Sequence, residues 1–118
     1  MSHIRKLECR IQTINPMLLS QATTLLSQQM NFQILSSSEN GVTLSYNGVQ
    51  FHIYLNPQGQ VVVEGDEFYL HLSLEDIRQR FESYYNLAGV RNALKEFGYD
   101  ISRFETDSEG RTVMEAQK

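Results

Sequence analysis

The sequence predicts an α+β fold, a two-layer sandwich whose antiparallel meander sheet carries its helices on one face. Three observations predict it. Two Asn-Gly pairs, Asn40-Gly41 and Asn47-Gly48, separate short alternating apolar stretches between Phe32 and Glu64, which is the pattern of consecutive hairpins. Helix start signals stand on either side of that region, Asn15-Pro16 before it and Ser73 after it. The 118 residues suffice for one core and not two, so 1–118 reads as a single domain.

Ile4 to Ile14 alternates as a first strand, with Leu7, Cys9 and Ile11 on the core side and Lys6, Glu8, Arg10 and Gln12 on the other. Asn15 and Pro16 then open a helix, which Ile14 and Leu19 can staple and which buries Met17, Leu18, Ala22, Leu25, Leu26 and Met30. Strands follow at Phe32–Leu35, Val42–Tyr46, Val49–Leu55 and Val61–Glu64, the last two joined by the turn Asn56-Pro57-Gln58-Gly59. Phe68 to Leu72 reads as a further short strand or an extended lead into the next helix.

That helix is the best-marked element. Ser73 caps it, Glu75 and Asp76 suit the positive end of its dipole, and Leu72 can staple to Ile77. Lys95, Gly98 and Tyr99 mark its end. Its apolar residues form two stripes, Ile77, Phe81, Tyr84 and Ala88 against Leu87, Val90, Leu94 and Phe97, which predicts a kink or break near Asn86 to Gly89. Ile101–Thr106 and Thr112–Ala116 read as closing strands around Asp107 to Gly110. The β-α-β opening and the helix-strand close give a partly ferredoxin-like order, which carries no function by itself.

Composition narrows the function classes. Ten basic and fourteen acidic residues give a net charge of −4, unsuited to a chain whose affinity comes from phosphate neutralisation, so no nucleic acid partner is expected. Cys9 stands alone, excluding an intrachain disulfide and pointing to a reducing compartment. No apolar run nears the ~18 residues of a membrane span and Met1-Ser2-His3 shows no targeting signal, so no membrane association and a cytoplasmic location are expected.

The chain carries few residues in patterns that point to chemistry. The glycines are spaced as turn residues with no Gly-Lys-Ser/Thr, and no Cys-x-x-Cys or His-x-x-x-His pair suggests zinc, so no cofactor and no metal are expected. Strand parity sets Cys9 inward, as a small core hydrophobe rather than a nucleophile. His52 shares a side with Gln50 and Tyr54, and His71 with Tyr69, both facing solvent. The carboxylates Glu64, Asp66 and Glu67 read as solvated turn charge, and Glu75 and Asp76 as cap and dipole partners. Phe81, Tyr84, Tyr85 and Tyr99 read as core and cap contacts.

The stretch Ile11 through Ser38 contains no charged residue, and its helix exposes Gln21, Thr24 and Gln28 where Lys and Glu are usual. Two readings follow. One is a non-catalytic module, not an enzyme, that docks a protein partner through that helix or the open face of the sheet and also self-associates. The other is a small-molecule sensor or minor enzyme with a site between sheet and helices near His52, Tyr54 and His71.

The opening Met1-Ser2-His3-Ile4-Arg5-Lys6-Leu7, the turn Tyr46-Asn47-Gly48, the run Gln79-Arg80-Phe81 through Tyr84-Tyr85-Asn86 to Lys95-Glu96-Phe97-Gly98-Tyr99, and Asp107 to Arg111 form one pattern. It resembles a small uncharacterised family found in cyanobacteria, some plastid genomes and other bacteria. Members usually carry several tryptophans and this chain has none. The resemblance brings no catalytic residue and implies an accessory role, with an AAA-type ATPase as partner.

Overall fold

The computed structural model describes residues 4–11, 15–106 and 111–118. Its centre is a five-stranded antiparallel sheet of β1 (Arg5–Glu8), β2 (Gln33–Ser38), β3 (Gly41–Tyr46), β4 (Val49–Leu55) and β5 (Val61–Gly65), in spatial order β1-β5-β4-β3-β2. Strands β2 to β5 are the expected meander. β1 closes it by pairing with β5, so β1 and β2 are the two edges. The helix α1 (Pro16–Met30) carries the chain from one edge to the other.

The turns follow from local stereochemistry. Asn47 and Gly48 have φ of 50° and 83°, the left-handed pair that a two-residue hairpin needs between β3 and β4. Between β4 and β5, Asn56 Oδ1 accepts from the Gln60 N–H at 2.8 Å, and Gly59 takes φ 83°.

α1 begins as its residues require, with Asn15 Oδ1 accepting from the N–H groups of Met17 (2.9 Å) and Leu18 (3.3 Å). The Asn15 N–H donates to the Tyr85 hydroxyl at 2.8 Å, which fixes the start of α1 to α3 (Leu74–Glu96). At the start of α3, Ser73 Oγ accepts from the Asp76 N–H at 3.3 Å. At its end Gly98 sits at φ 87°, and the Tyr99 and Gly98 N–H groups donate to Leu94 O (2.9 Å) and Lys95 O (3.1 Å), a Schellman closure.

α1 packs over β2 and β3, α3 packs over β5 and β1, and the two helices lie against each other. Between the layers Leu26, Leu44, Phe51, Ile53, Val63, Ile77, Phe81 and Tyr84 are fully buried. Phe32 links two strands of this core, edge-on to Phe51 at 4.8 Å and to Tyr46 at 5.7 Å.

Four features differ from the sequence reading. β1 ends at Glu8, with one more sheet bond from Cys9 N–H to Val61 O at 2.7 Å, and Gln12 to Ile14 lie outside the described residues. The lead into α3 is helical: α2 (Glu67–Leu70) is capped by Asp66, whose Oδ1 accepts from the Phe68 N–H, and closed by His71 at φ 56°. Third, α3 runs uninterrupted through Asn86 to Gly89. Its second stripe is no second core, since Leu87 and Leu94 are half-buried while Val90 and Phe97 are exposed. The helix simply continues past the end of the sheet. Fourth, the closing strands β6 (Asp100–Thr106) and β7 (Thr112–Gln117) pair only with each other, so the ferredoxin-like order of elements does not become ferredoxin-like pairing. This hairpin meets α3 where the Arg91 guanidinium lies 5.0 Å from the Phe104 ring centroid. A 23-residue helix is about 34 Å long. With the hairpin beyond it, the molecule measures 54 × 31 × 22 Å.

Candidate functional site

The uncharged stretch folds into two adjoining elements, α1 and the edge strand β2. α1 has three distinct flanks. Leu19, Ala22 and Leu26 face the core. Leu18 and Gln21 turn toward α3: Leu18 approaches Gly89, and Gln21 Oε1 accepts from Asn92 Nδ2 at 3.2 Å. Met17, Ser20, Thr24 and Gln28 recur at helical spacing and are exposed. Of the three helix positions singled out from the sequence, Thr24 and Gln28 thus lie on the outward face. Gln21, two turns before Gln28, does not, because its side chain is held on the α3 side by Asn92.

β2 is exposed along its whole length. Ile34 and Leu35 remain 40% and 44% accessible, and the register slips between Ile34 and Ser36, so Leu35 is the bulged residue. The sequence pattern predicts a strand ending at Leu35, whereas β2 runs on to Ser38. Its lack of polar-apolar alternation after Leu35, with three serines in succession, is the signal that it would not bury a face.

The sheet face away from the helices carries a polar row, Ser36, Thr43, His52, Glu64 and Lys6, each opposite the next across the ladder. Thr43 Oγ1 and His52 Nδ1 are 3.0 Å apart, and Lys6 Nζ lies 3.4 Å from Glu64 Oε1. Tyr54 stands beside Gly41 and helps line a shallow groove of about 420 Å³ with Ser36, Ser38 and Thr43. His52 and Tyr54 therefore occupy the open face and not the space between the layers. His71, exposed at the corner between α2 and α3, is a third separate location. The interlayer space near none of them is open: Phe51, Ile53, Leu70 and Leu74 fill it.

Cys9 is 6% accessible beneath α3. Burial pushes its thiol from 9.0 up to about 12, helped by the negative charge of Glu82 and opposed by Arg78. Arg78 is itself held by ion pairs to Glu75 and, at 3.3 Å, Glu82. Neither His52 nor His71 belongs to this cluster. A groove of about 480 Å³ nearby is lined by Arg10, Asn15, Glu82, Tyr85 and Asn86, none of them among the candidate binding positions read from the sequence. Among the described residues no group of three or more His, Cys, Asp or Glu side chains is placed to hold a metal ion. No helix among them is long and apolar enough to cross a membrane.

No protein family, curated protein or solved structure matches this chain.

Proposed function

We propose that this chain is a non-catalytic accessory module that works by docking a protein partner on the surface formed by the outward face of α1 and the edge strand β2. One observation carries the reading: residues Met17, Ser20, Thr24, Gln28 and all of β2 form adjoining exposed surface without a charged group, on a chain of net charge −4. Ordinary surface is dotted with Lys, Glu and Asp, whereas the centres of interfaces are depleted of them because each buried charge must be desolvated. The resemblance to the cyanobacterial and plastid family suggests an AAA-type ATPase among the chain's partners, and the lone Cys9 suits a reducing, cytoplasmic setting. The raised thiol of Cys9 suits a packing role better than a catalytic one.

The test uses the full chain as bait in chemical cross-linking from cell extract. Thr24→Lys with Gln28→Lys puts two charges on the α1 face, and Gln50→Lys puts one on the open sheet face. The reading expects the first variant to lose its cross-linked partner and the second to keep it, both with unchanged circular dichroism. Retention by the α1 variant refutes the docking face, and loss by the Gln50 variant alone moves it to the open sheet.

A further inference from the structure

The two edges of the sheet are built differently. β1 has four residues, three of them charged, and its side chains are engaged by Arg5 pairing with Glu67 and Lys6 with Glu64. Short length and charge are the usual guards against a second strand adding to an edge. β2 has six residues with no charge and no proline, and its one guard is the bulge at Leu35. We propose that β2 pairs antiparallel with β2 of a second copy of this chain, joining two five-stranded sheets into one of ten strands. The inference deepens the docking reading above and rests on it, since it names an occupant for the same surface.

Charge selects a second copy as that occupant. Two molecules of net charge −4 repel, and an uncharged surface is one on which they meet without facing like charges. The strand is its own complement in this respect. An antiparallel pairing that sets Leu35 opposite Ser36 also sets Ile34 opposite Ser37 and Gln33 opposite Ser38, and places Glu39 across from Phe32 rather than from another acid. Like charges directly opposite would oppose such a ladder, and here there are none.

The helix layer fits the same two-fold axis. An axis perpendicular to the sheet keeps both helix layers on one side, and α1 is the helix that lies over β2 and β3, nearest the joined edge. The α1 flank away from α3 bears Ser20, exposed, and Ser27, half-buried, opposite the Leu18 and Gln21 side that meets α3. Small hydroxyl side chains there let the two α1 helices approach without burying a charge. Strand pairing supplies backbone hydrogen bonds, and the helices extend the contact beyond a single pair of strands.

Sedimentation equilibrium of the purified chain over a wide concentration range tests this. The wild-type chain should reach twice its 13.6 kDa mass. Ser37→Lys should weaken the dimer at least about tenfold while leaving the far-ultraviolet circular dichroism unchanged, and Gln58→Lys, in the β4–β5 turn, should leave it intact. As a second readout, amides of Gln33 to Ser38 should exchange more slowly in the dimer than in the diluted chain. A wild-type chain that stays monomeric overturns the proposal, as does a dimer indifferent to Ser37→Lys. If the chain is monomeric while Thr24→Lys with Gln28→Lys still abolishes cross-linking from extract, the second-copy inference falls and the docking reading stands. If that recovery is also unchanged, both fall.

Discussion

Two glycine-to-alanine substitutions, identical in chemistry, should move stability in opposite directions. Gly65 ends β5 at the corner where β4, α2 and α3 converge. A Cβ there would stand 3.0 Å from Phe51 Cβ, 3.1 Å from Leu70 Cδ1 and 3.3 Å from Leu74 Cδ2. All three neighbours are buried to 1% accessibility or less, so none can swing into solvent. Overpacking of this kind costs about 1–3 kcal/mol, and the gain from a stiffer unfolded chain returns roughly 0.4–1 kcal/mol. Gly65→Ala should therefore destabilise by about 1–2 kcal/mol. Gly89 lies inside α3, and the nearest atom to an added Cβ is Leu18 Cδ1 at 3.7 Å, ordinary van der Waals contact. Without a clash, helix propensity governs, and Gly89→Ala should stabilise by roughly 0.8–1 kcal/mol. The variants should differ by about 2–3 kcal/mol, or about 8–12 °C in melting temperature. Urea unfolding followed by circular dichroism measures both, with the slope m held constant as the check that only stability changed. A Gly65→Ala chain as stable as wild type would mean the β5–α2–α3 corner is loosely packed. A destabilised Gly89→Ala chain would mean α1 and α3 lie closer than described.

Three further outcomes follow from single contacts. Asn15→Ala removes the acceptor for two α1 N–H groups and should cost about 1 kcal/mol in the same urea assay, where no change would refute the cap. Tyr84 is fully buried and its hydroxyl has no hydrogen-bond partner among the described residues, so Tyr84→Phe should match or exceed wild-type stability by about 1 kcal/mol; a clear loss would reveal a bond to that oxygen. Arg78, chiefly through its hydrogen bond, holds the Glu75 carboxylate below its usual 4.5. A lowered carboxylate contributes stability above the unfolded value that is lost as pH falls through the folded one, so the stability gap between wild type and Glu75→Gln should narrow below about pH 4.5. A gap that widens in acid would contradict the pairing.

The parts of the fold written in local stereochemistry were legible. Asn15, Ser73 and Gly98 end or begin helices because their side chains or backbone freedom satisfy orphan groups a few residues away, and Asn47-Gly48 closes a hairpin for the same local reason. What depends on distant neighbours was not. α3 reads as two stripes because its second half outruns the sheet, and nothing within the helix records where the sheet ends. The element α2 was hidden because Asp66 caps only four residues, too few to show a helical period. The edge position of β2 depends on β1 pairing with β5, which the order of strands along the chain does not specify. Of the candidate site, the uncharged stretch was visible by inspection, but that Gln21 turns to Asn92 while Thr24 and Gln28 face outward depends on where α3 lies. His52 and Tyr54 were correctly set on the open face by strand parity, and only the fold shows that His71 sits apart from them.

The account holds that this molecule binds rather than reacts, and its one thiol tests that most directly. With the Cys9 group raised from 9.0 to about 12, its thiolate fraction at pH 8 falls by about a thousandfold. Reaction with a disulfide reagent such as Ellman's should then be about a thousandfold slower in the native chain than in the same chain unfolded in guanidinium. Fast native labelling, with a midpoint below pH 8, would mean an open and activated cysteine, and an enzyme in place of a docking module.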